Sequence, residues 1–299
     1  MTAHRASVDE RVAALLRRTG LAPPRRVLAL VSGGADSTLL VTLLVELGFD
    51  VQGLHVAHGL RGAASDADAE FCRRLPLPVV VVGGRVAPGA NLEARLRDVR
   101  RSAALAAAAG NPIATGHTAT DRAETVLYRL ATSGGVNALP VLPAAAPPFY
   151  RPLLEVTRDE VRCELQRRGV SWREDASNDD PVFARNRIRN EALPVLLALN
   201  PRADANIART AEAAAAEREL LATLAAPFVG DGGADLAFRH EHVALQREVV
   251  RRAAAAAGVT VQHADVEALV GLGGANRRTL AGGAEAIARG GWLRFHLPS

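Results

Sequence analysis

Residues 26–37 read Arg-Val-Leu-Ala-Leu-Val-Ser-Gly-Gly-Ala-Asp-Ser, and this stretch decides the fold class. Arg26–Val31 is short and apolar, as a buried strand should be, and it runs straight into two glycines. Asp36 to Leu47 (DSTLLVTLLVEL) then reads as a mostly buried helix closed by Gly48. A strand, a glycine turn and a helix in that order place backbone N–H groups and the positive end of a helix dipole above the sheet. Anions bind readily at such a point. The glycines permit close approach to phosphate oxygens, and the Ser32 and Ser37 hydroxyls add donors. The order Ser32-Gly33-Gly34-Ala35-Asp36-Ser37 is neither GxxxxGK[ST] nor GxGxxG, which sets aside a Walker NTPase and a dinucleotide dehydrogenase.

Strand and helix go on alternating downstream. Val51–Ala57 and Val79–Val82 read as strands, with a helix over Ser65–Leu75 whose N-cap is Ser65. A long helix over Asn91–Ala109 precedes a strand at Pro112–Thr115 and a helix at Asp121–Ala131. After a proline-rich stretch, a short fifth strand is expected at Phe149–Leu153. This pattern predicts an α/β fold with a parallel, doubly wound sheet covered on both faces. From Thr157 the strand pattern stops. Thr157–Arg168 reads as a helix, 171–190 as a polar loop, Glu191–Leu199 as a helix, and Pro201–Ala225 as a long helical linker. Residues 227–299 read as a small α+β domain with short apolar segments (Leu236–Phe238, Trp292–His296) and one alanine-rich helix. The expected division is a nucleotide-binding catalytic domain over 1–215 and a smaller domain over 216–299.

Composition narrows the chemistry. The chain has 299 residues, 36 basic against 32 acidic, and every basic one is arginine. Without lysine, Schiff-base chemistry and a phosphate-loop lysine are excluded. The arginine surplus lies in residues 1–150, and guanidinium forks suit phosphate. Its alanine-rich setting is also what a coding bias produces. The two cysteines, Cys72 and Cys163, have no metal-ligand or redox spacing, which speaks for a reducing compartment. No apolar run approaches the ~18–20 residues of a membrane span, and the first residues lack the layout of a secretory signal.

Ser32–Ser37 resembles the signature of the PP-loop ATP-pyrophosphatase superfamily, whose fold is adenine-nucleotide α-hydrolase-like. Further blocks resemble the bacterial tRNA(Ile)-lysidine synthetases within it. These are His55-Val-Ala-His58-Gly59-Leu60-Arg61-Gly62, Asn91-Leu-Glu93-Ala94 with Arg97 and Arg100, and Thr115-Gly116-His117 with Asp121 and Glu124-Thr125. Arg151-Pro152-Leu153-Leu154 follows, then Asp175-Ala-Ser177-Asn178-Asp179 with Arg185-Asn186 and Arg189. Together they cover about residues 26–200; residues 280–292 resemble the family's tRNA-contacting domain only weakly. The chain departs from the family pattern at Arg101, Thr120, Arg122, Thr132–Gly135 and before Arg185.

The resemblance implies a cytoplasmic, AMP-forming ligase that converts the wobble cytidine of tRNA(Ile) with anticodon CAU to lysidine. The substrates would be ATP and free L-lysine, the intermediate an O-adenylyl cytidine, the products AMP and pyrophosphate. No membrane association and no obligate protein partner is expected. It implies ATP binding by Ser32, Gly33, Gly34, Ala35, Asp36, Ser37, His58 and His117. Asp36 and Asp121 would be catalytic and hold Mg²⁺, although each also fits as an acid placed at a helix N-terminus. Arg97, Arg100, Arg185 and Arg189 would bind tRNA or substrate; a solvated charged face and a surface salt-bridge network are the plainer readings of those arginines. His55 reads as a structural histidine. Alternatives are a PP-loop tRNA thiolase, which needs a sulfur-carrying cysteine where Cys72 and Cys163 lie outside the motif loops, and a non-catalytic RNA-binding protein on the same scaffold.

Overall fold

The structure, a computed structural model, describes residues 6–58, 63–84, 92–132, 139, 142–174, 184–230, 232–272, 276–280 and 282–297; the side chains of 63, 64, 93, 184 and 185 lie outside the description. The blocks at 59–62, 133–135 and 175–183 therefore fall outside the described residues. The chain divides into two compact units, one of Met1–Arg129 with Val141–Ala211 and one of Leu130–Pro140 with Glu212–Ser299.

In the first unit, β1 (Arg26–Leu30), β2 (Asp50–Ala57), β3 (Val79–Gly83), β4 (Ile113–Ala114), β5 (Ala145–Ala146) and β6 (Phe149–Tyr150) form one sheet in the order β3-β2-β1-β4-β6-β5. All pairings are parallel except that of β5 with β6. Period-two alternation along β1 feeds two cores. Val27, Ala29 and Val31 join α1 (Val8–Arg18), α2 (Ala35–Glu46) and α6 (Arg158–Arg168) on one face, while Leu28 packs with Ile113, Phe149 and α4 (Leu92–Ala108) on the other. α2 is apolar nearly all round, with Leu39, Leu40, Val41, Leu43 and Leu44 buried, because it lies between the sheet and α6. Arg168 fastens the helical layer: it donates to Asp9 Oδ1 on α1 (2.6 Å), to Glu46 on α2 and to Glu164 Oε1 (2.6 Å).

The elements α3 (Ala63–Arg73) and α5 (Ala119–Thr132) follow β2 and β4. The departures from the family pattern acquire physical reasons here. The Arg101 guanidinium stacks 4.5 Å over the Phe149 ring. Thr120 Oγ1 donates to Asp204 Oδ2 (2.8 Å), and the buried Arg122 donates to the Leu142 carbonyl (3.1 Å), so both stitch α5 to neighbouring segments.

Several expectations about elements are corrected, among them the N-cap of α3: Ser65 lies inside that helix, which begins at Ala63. The polar loop does not extend to 190: a helix begins at α7 (Ala184–Arg187), passes through a π turn at Ile188–Ala192 and continues as α8 (Leu193–Leu199). No glycine interrupts 184–199. Pro194, which can neither donate to nor pack against the carbonyl four residues before it in a regular helix, falls just after the π turn, where the helix is widened. β5 lay hidden in the proline-rich stretch. In the second unit Leu236–His240 forms a 3-10 turn capped by Asp235, and two helices stand where one was expected, α10 (Val243–Ala256) and α11 (His263–Val270).

The second unit is built on β7 (Val229–Gly230), β8 (Gly233–Asp235), β9 (Arg277–Thr279), β10 (Glu285–Arg289) and β11 (Trp292–His296), antiparallel in the order β7-β8-β11-β10-β9. Its core sets Phe238, Val249, Val250 and Leu269 against Ala286, Leu293 and Phe295. The helix α9 (Ala203–Ala225) precedes it, and the division into units falls within that helix. Among the described residues, no helix is long and apolar enough to cross a membrane.

Candidate active site

The turn after β1 is braced from inside. Ser37 Oγ accepts from the Ser32 N–H (3.1 Å), donates to the Gly34 carbonyl (3.1 Å) and lies 3.2 Å from Ser32 Oγ. Ser37 is thus turned inward as the strut of the loop. Gly33 has φ +85°, and a Cβ there would lie 3.1 Å from Phe71 Cδ1, so no other residue fits without strain. Its carbonyl accepts from the Arg173 N–H (2.9 Å), which anchors the start of the 173–189 segment beneath the loop. Gly34, the N-cap of α2, supplies no side-chain cap. The N–H groups of the first turn of α2 are accordingly left for a ligand.

Gly116, after β4, is packed against this turn: a Cβ there would meet Asp36 C and O and Ser37 N at 3.1 Å. Gly116→Ala is expected to push the 36–37 backbone by a few tenths of an ångström and cost about 1–3 kcal/mol of stability. It should also weaken binding of a nucleoside triphosphate at the turn by about tenfold, measured by calorimetry. Unchanged affinity would free the loop from this contact.

Asp36 and Asp121 meet through a residue that motif reading did not single out. Arg158, the first residue of α6, places Nη2 3.1 Å from Asp121 Oδ1, Nη1 3.2 Å from Glu124 Oε1 and Nε 3.7 Å from Asp36 Oδ2. Asp121 Oδ2 also accepts from the Thr118 N–H (2.8 Å) and hydroxyl (2.9 Å). Glu124, fully buried, takes Arg189 through Nε (2.7 Å, to Oε1) and Nη2 (3.0 Å, to Oε2). Asp36 Oδ1, by contrast, is buried with no hydrogen-bond partner among the described residues. Burial, with the charge of Asp121 adding to it, pushes the Asp36 carboxyl up to about 6, while Arg158, Arg189 and Arg162 pull the other way. Burial would lower the Arg158 guanidinium, but Asp121, Glu124 and Asp36 outweigh it and hold it above its ordinary value. A signal for Arg158 was present: a cation at the first position of a helix opposes the dipole and asks for nearby carboxylates.

Among the described residues, no three His, Cys, Asp or Glu side chains form a ready-made metal cage. Mg²⁺ does not need one, since one or two carboxylates and substrate phosphates suffice. The orphaned Asp36 oxygen beside Asp121 fits that requirement.

Other residues singled out in the sequence are placed as follows. His58 donates Nδ1–H to the Gly84 carbonyl (2.8 Å), and its buried Nε2 has no partner among the described residues. His117 Nδ1 lies 2.8 Å from Thr115 Oγ1. His55 is buried and donates Nδ1–H to the Val31 carbonyl (2.9 Å), a structural role. Arg189 belongs to the carboxylate cluster; Arg97 and Arg100 are exposed on α4, and the side chain of Arg185 lies outside the described residues. Cys72 is nearer the loop than its place in the sequence suggested, its Sγ 3.6 Å from where a Gly33 Cβ would stand. It is fully buried, and desolvation with Asp68 pushes its thiol up to about 11, opposite to what a sulfur carrier needs.

The family model of the PP-loop domain matches residues 5–196. The chain is 40% identical over 302 residues to the tRNA(Ile)-lysidine synthase of Solibacter usitatus, covering 91% of this chain and 68% of that protein. The chain belongs to the PP-loop family of tRNA(Ile)-lysidine synthases. The lysidine synthase of Geobacter sulfurreducens is 43% identical over 219 residues, 68% of this chain and 46% of that protein; against several such synthases the chain spans about half their length. Among solved structures, the U34-tRNA thiolase NcsA from Methanococcus maripaludis with its [4Fe-4S] cluster superposes with a TM-score of 0.57. It is 19% identical and covers 69% of this chain and 76% of that one, a likeness of PP-loop fold.

Proposed function

We propose that this PP-loop synthase converts the wobble cytidine of tRNA(Ile) with anticodon CAU to lysidine, in the cytoplasm, from ATP and free L-lysine. The observation that carries the reading is the convergence of the Ser32–Ser37 turn and the Asp36/Asp121 carboxylates, within a chain 40% identical to a lysidine synthase over most of its length.

The phosphates of ATP sit on the free amides of the first turn of α2, with His58 and His117 at the neighbouring strand ends. The cytidine C2 oxygen attacks the α-phosphorus and pyrophosphate leaves along the loop, its growing charge met by oriented N–H dipoles. Asp36 and Asp121 would hold Mg²⁺, which would supply neutralising charge for the leaving pyrophosphate. The ε-amine of lysine then attacks C2, loses a proton, and AMP departs with the oxygen. No side chain here carries such an amine, so it comes from solution. Arg97, Arg100 and Arg185 contact RNA or substrate phosphates, whereas Arg189, engaged with Glu124, orders the carboxylate cluster instead of reaching RNA. The second unit holds the body of the tRNA. Arg218, Arg251 and Arg252, beside Glu248, line an open depression on that unit and offer cations to phosphate.

Incubating the protein with ATP, lysine and the CAU tRNA(Ile), followed by mass spectrometry of the digested nucleosides, should show cytidine at the wobble position gaining lysine with loss of water. ATP cleavage with no change in that cytidine would overturn the reading.

A further inference from the structure

The three carboxylates differ in how far they depend on Arg158. Asp121 keeps two Thr118 donors on Oδ2 without it, and Glu124 keeps Arg189 on both oxygens. Among the described residues Asp36 has no such second anchor: Oδ2 lies 3.7 Å from the Arg158 Nε, and Oδ1 is buried without a hydrogen-bond partner. The root of Arg158 is fixed. Its N–H donates to Thr120 Oγ1 (3.0 Å), and the preceding Thr157 caps α6 reciprocally with Glu160. Its side chain is 18% exposed, so the arginine is not sealed from solvent.

We propose that Arg158 is an exchangeable resident cation: its guanidinium occupies the place between Asp36 and Asp121 in the nucleotide-free protein and yields it to the divalent cation that enters with ATP. Two buried like charges close together repel strongly, and a guanidinium fork can neutralise both until the metal arrives. When Arg158 swings away, both oxygens of Asp36 become available beside Asp121 Oδ1, which Arg189 Nη2 approaches to 3.9 Å. Thr118 and Arg189 meanwhile keep Asp121 and Glu124 in position. The arrangement suppresses metal binding before the nucleotide supplies its own phosphate ligands. Arg158 is thus a positioning residue, and the inference rests on Asp36 and Asp121 being the metal-holding pair of the proposed reaction.

Mn²⁺ alone is the probe, titrated into the full-length, nucleotide-free protein and followed by electron paramagnetic resonance. R158Q is expected to bind Mn²⁺ about tenfold more tightly than the native protein. R158K should be intermediate, because an ammonium is a point charge that cannot span both carboxylates; it also serves should R158Q fail to fold. D36N introduced into R158Q should abolish the gain. R162Q is the control for charge alone, since Arg162 acts on Asp36 through space and makes its ion pair with Glu174; its effect should stay below about threefold. Equal or weaker binding in R158Q, or an equal gain in R162Q, would overturn the exchange. The titration involves neither RNA nor lysine, so failure to form lysidine would strike the proposed reaction and leave this result readable by itself.

Discussion

Asp36→Asn is expected to slow ATP-dependent adenylylation by a factor on the order of 10³ while leaving the nucleotide-free protein more stable than before. Both effects follow from the same carboxylate. In the reaction it carries negative charge against the cation on the leaving pyrophosphate, an interaction that grows toward the transition state and is lost with the amide. In the resting protein that charge is buried and only partly compensated, so its pKa stands at about 6 rather than at 3.8. A carboxyl raised on folding binds more protons in the native state than in the unfolded one. It therefore supports stability at low pH and loses that support as pH rises from about 4 through about 6. The neutral asparagine escapes this loss. Its gain should be greatest above pH 7, up to about 3 kcal/mol, and vanish below pH 4. Thermal melts at pH 4 and pH 8, beside pyrophosphate release, test both halves. Destabilisation at pH 8 would mean the charge is better compensated than the orphaned oxygen indicates, and near-normal turnover would remove Asp36 from the chemistry. In the native protein kcat/KM for ATP, which reports the free enzyme, should climb as pH rises through about 6, where Asp36 ionises before the cation binds.

Glu124→Gln should be the most destabilising single change in the site. The native carboxylate is fully buried and receives Arg158 on one oxygen and Arg189 on both. The amide keeps the shape but presents an N–H₂ to one guanidinium and removes the charge that balances two. Breaking a buried pair from one side costs about 3–5 kcal/mol, because the surviving cations stay desolvated. For a unit of this size that corresponds to a fall in Tm of roughly 6–20 °C. Calorimetry of the full chain decides the matter: a loss under about 1 kcal/mol would show that water reaches the cluster. The variant should also bind ATP poorly, since Asp121 shares Arg158 with Glu124.

The legible part of this protein is local. A buried strand entering Ser-Gly-Gly and a helix after it identify the anion site from eleven or so adjacent residues, and alternation of strand and helix identifies the parallel sheet. Asp121 could be placed because it follows a strand end. Arg158 could not be placed the same way, since its partners lie 37 and 34 residues away and meet it only after α5 and α6 pack. Glu124 looked like a second acid opening a helix; its saturation by two arginines is a tertiary fact. The inward turn of Ser37 was equally invisible, because a serine at such a loop can serve ligand or backbone with the same chemistry. Two-residue strands such as β5 carry no periodicity to detect. Cys72 reached the underside of Gly33 through the packing of α3, which its sequence position did not announce.

The carboxylate cluster also sets a timetable. Its members are made one after another: Arg158 follows Asp121 by 37 residues, and Arg189 follows Glu124 by 65. At ribosomal speeds of about 5–20 residues per second, several seconds separate the first acid from the last arginine. During that interval the parallel strands β1, β2 and β3 can pair, yet Asp121 and Glu124 have no counter-charge to be buried against. Their desolvation must wait for α6 and the 184–199 helix. A growing chain therefore holds the acids in water until both arginines have emerged, and the site is assembled by the last part of its own unit to be synthesised.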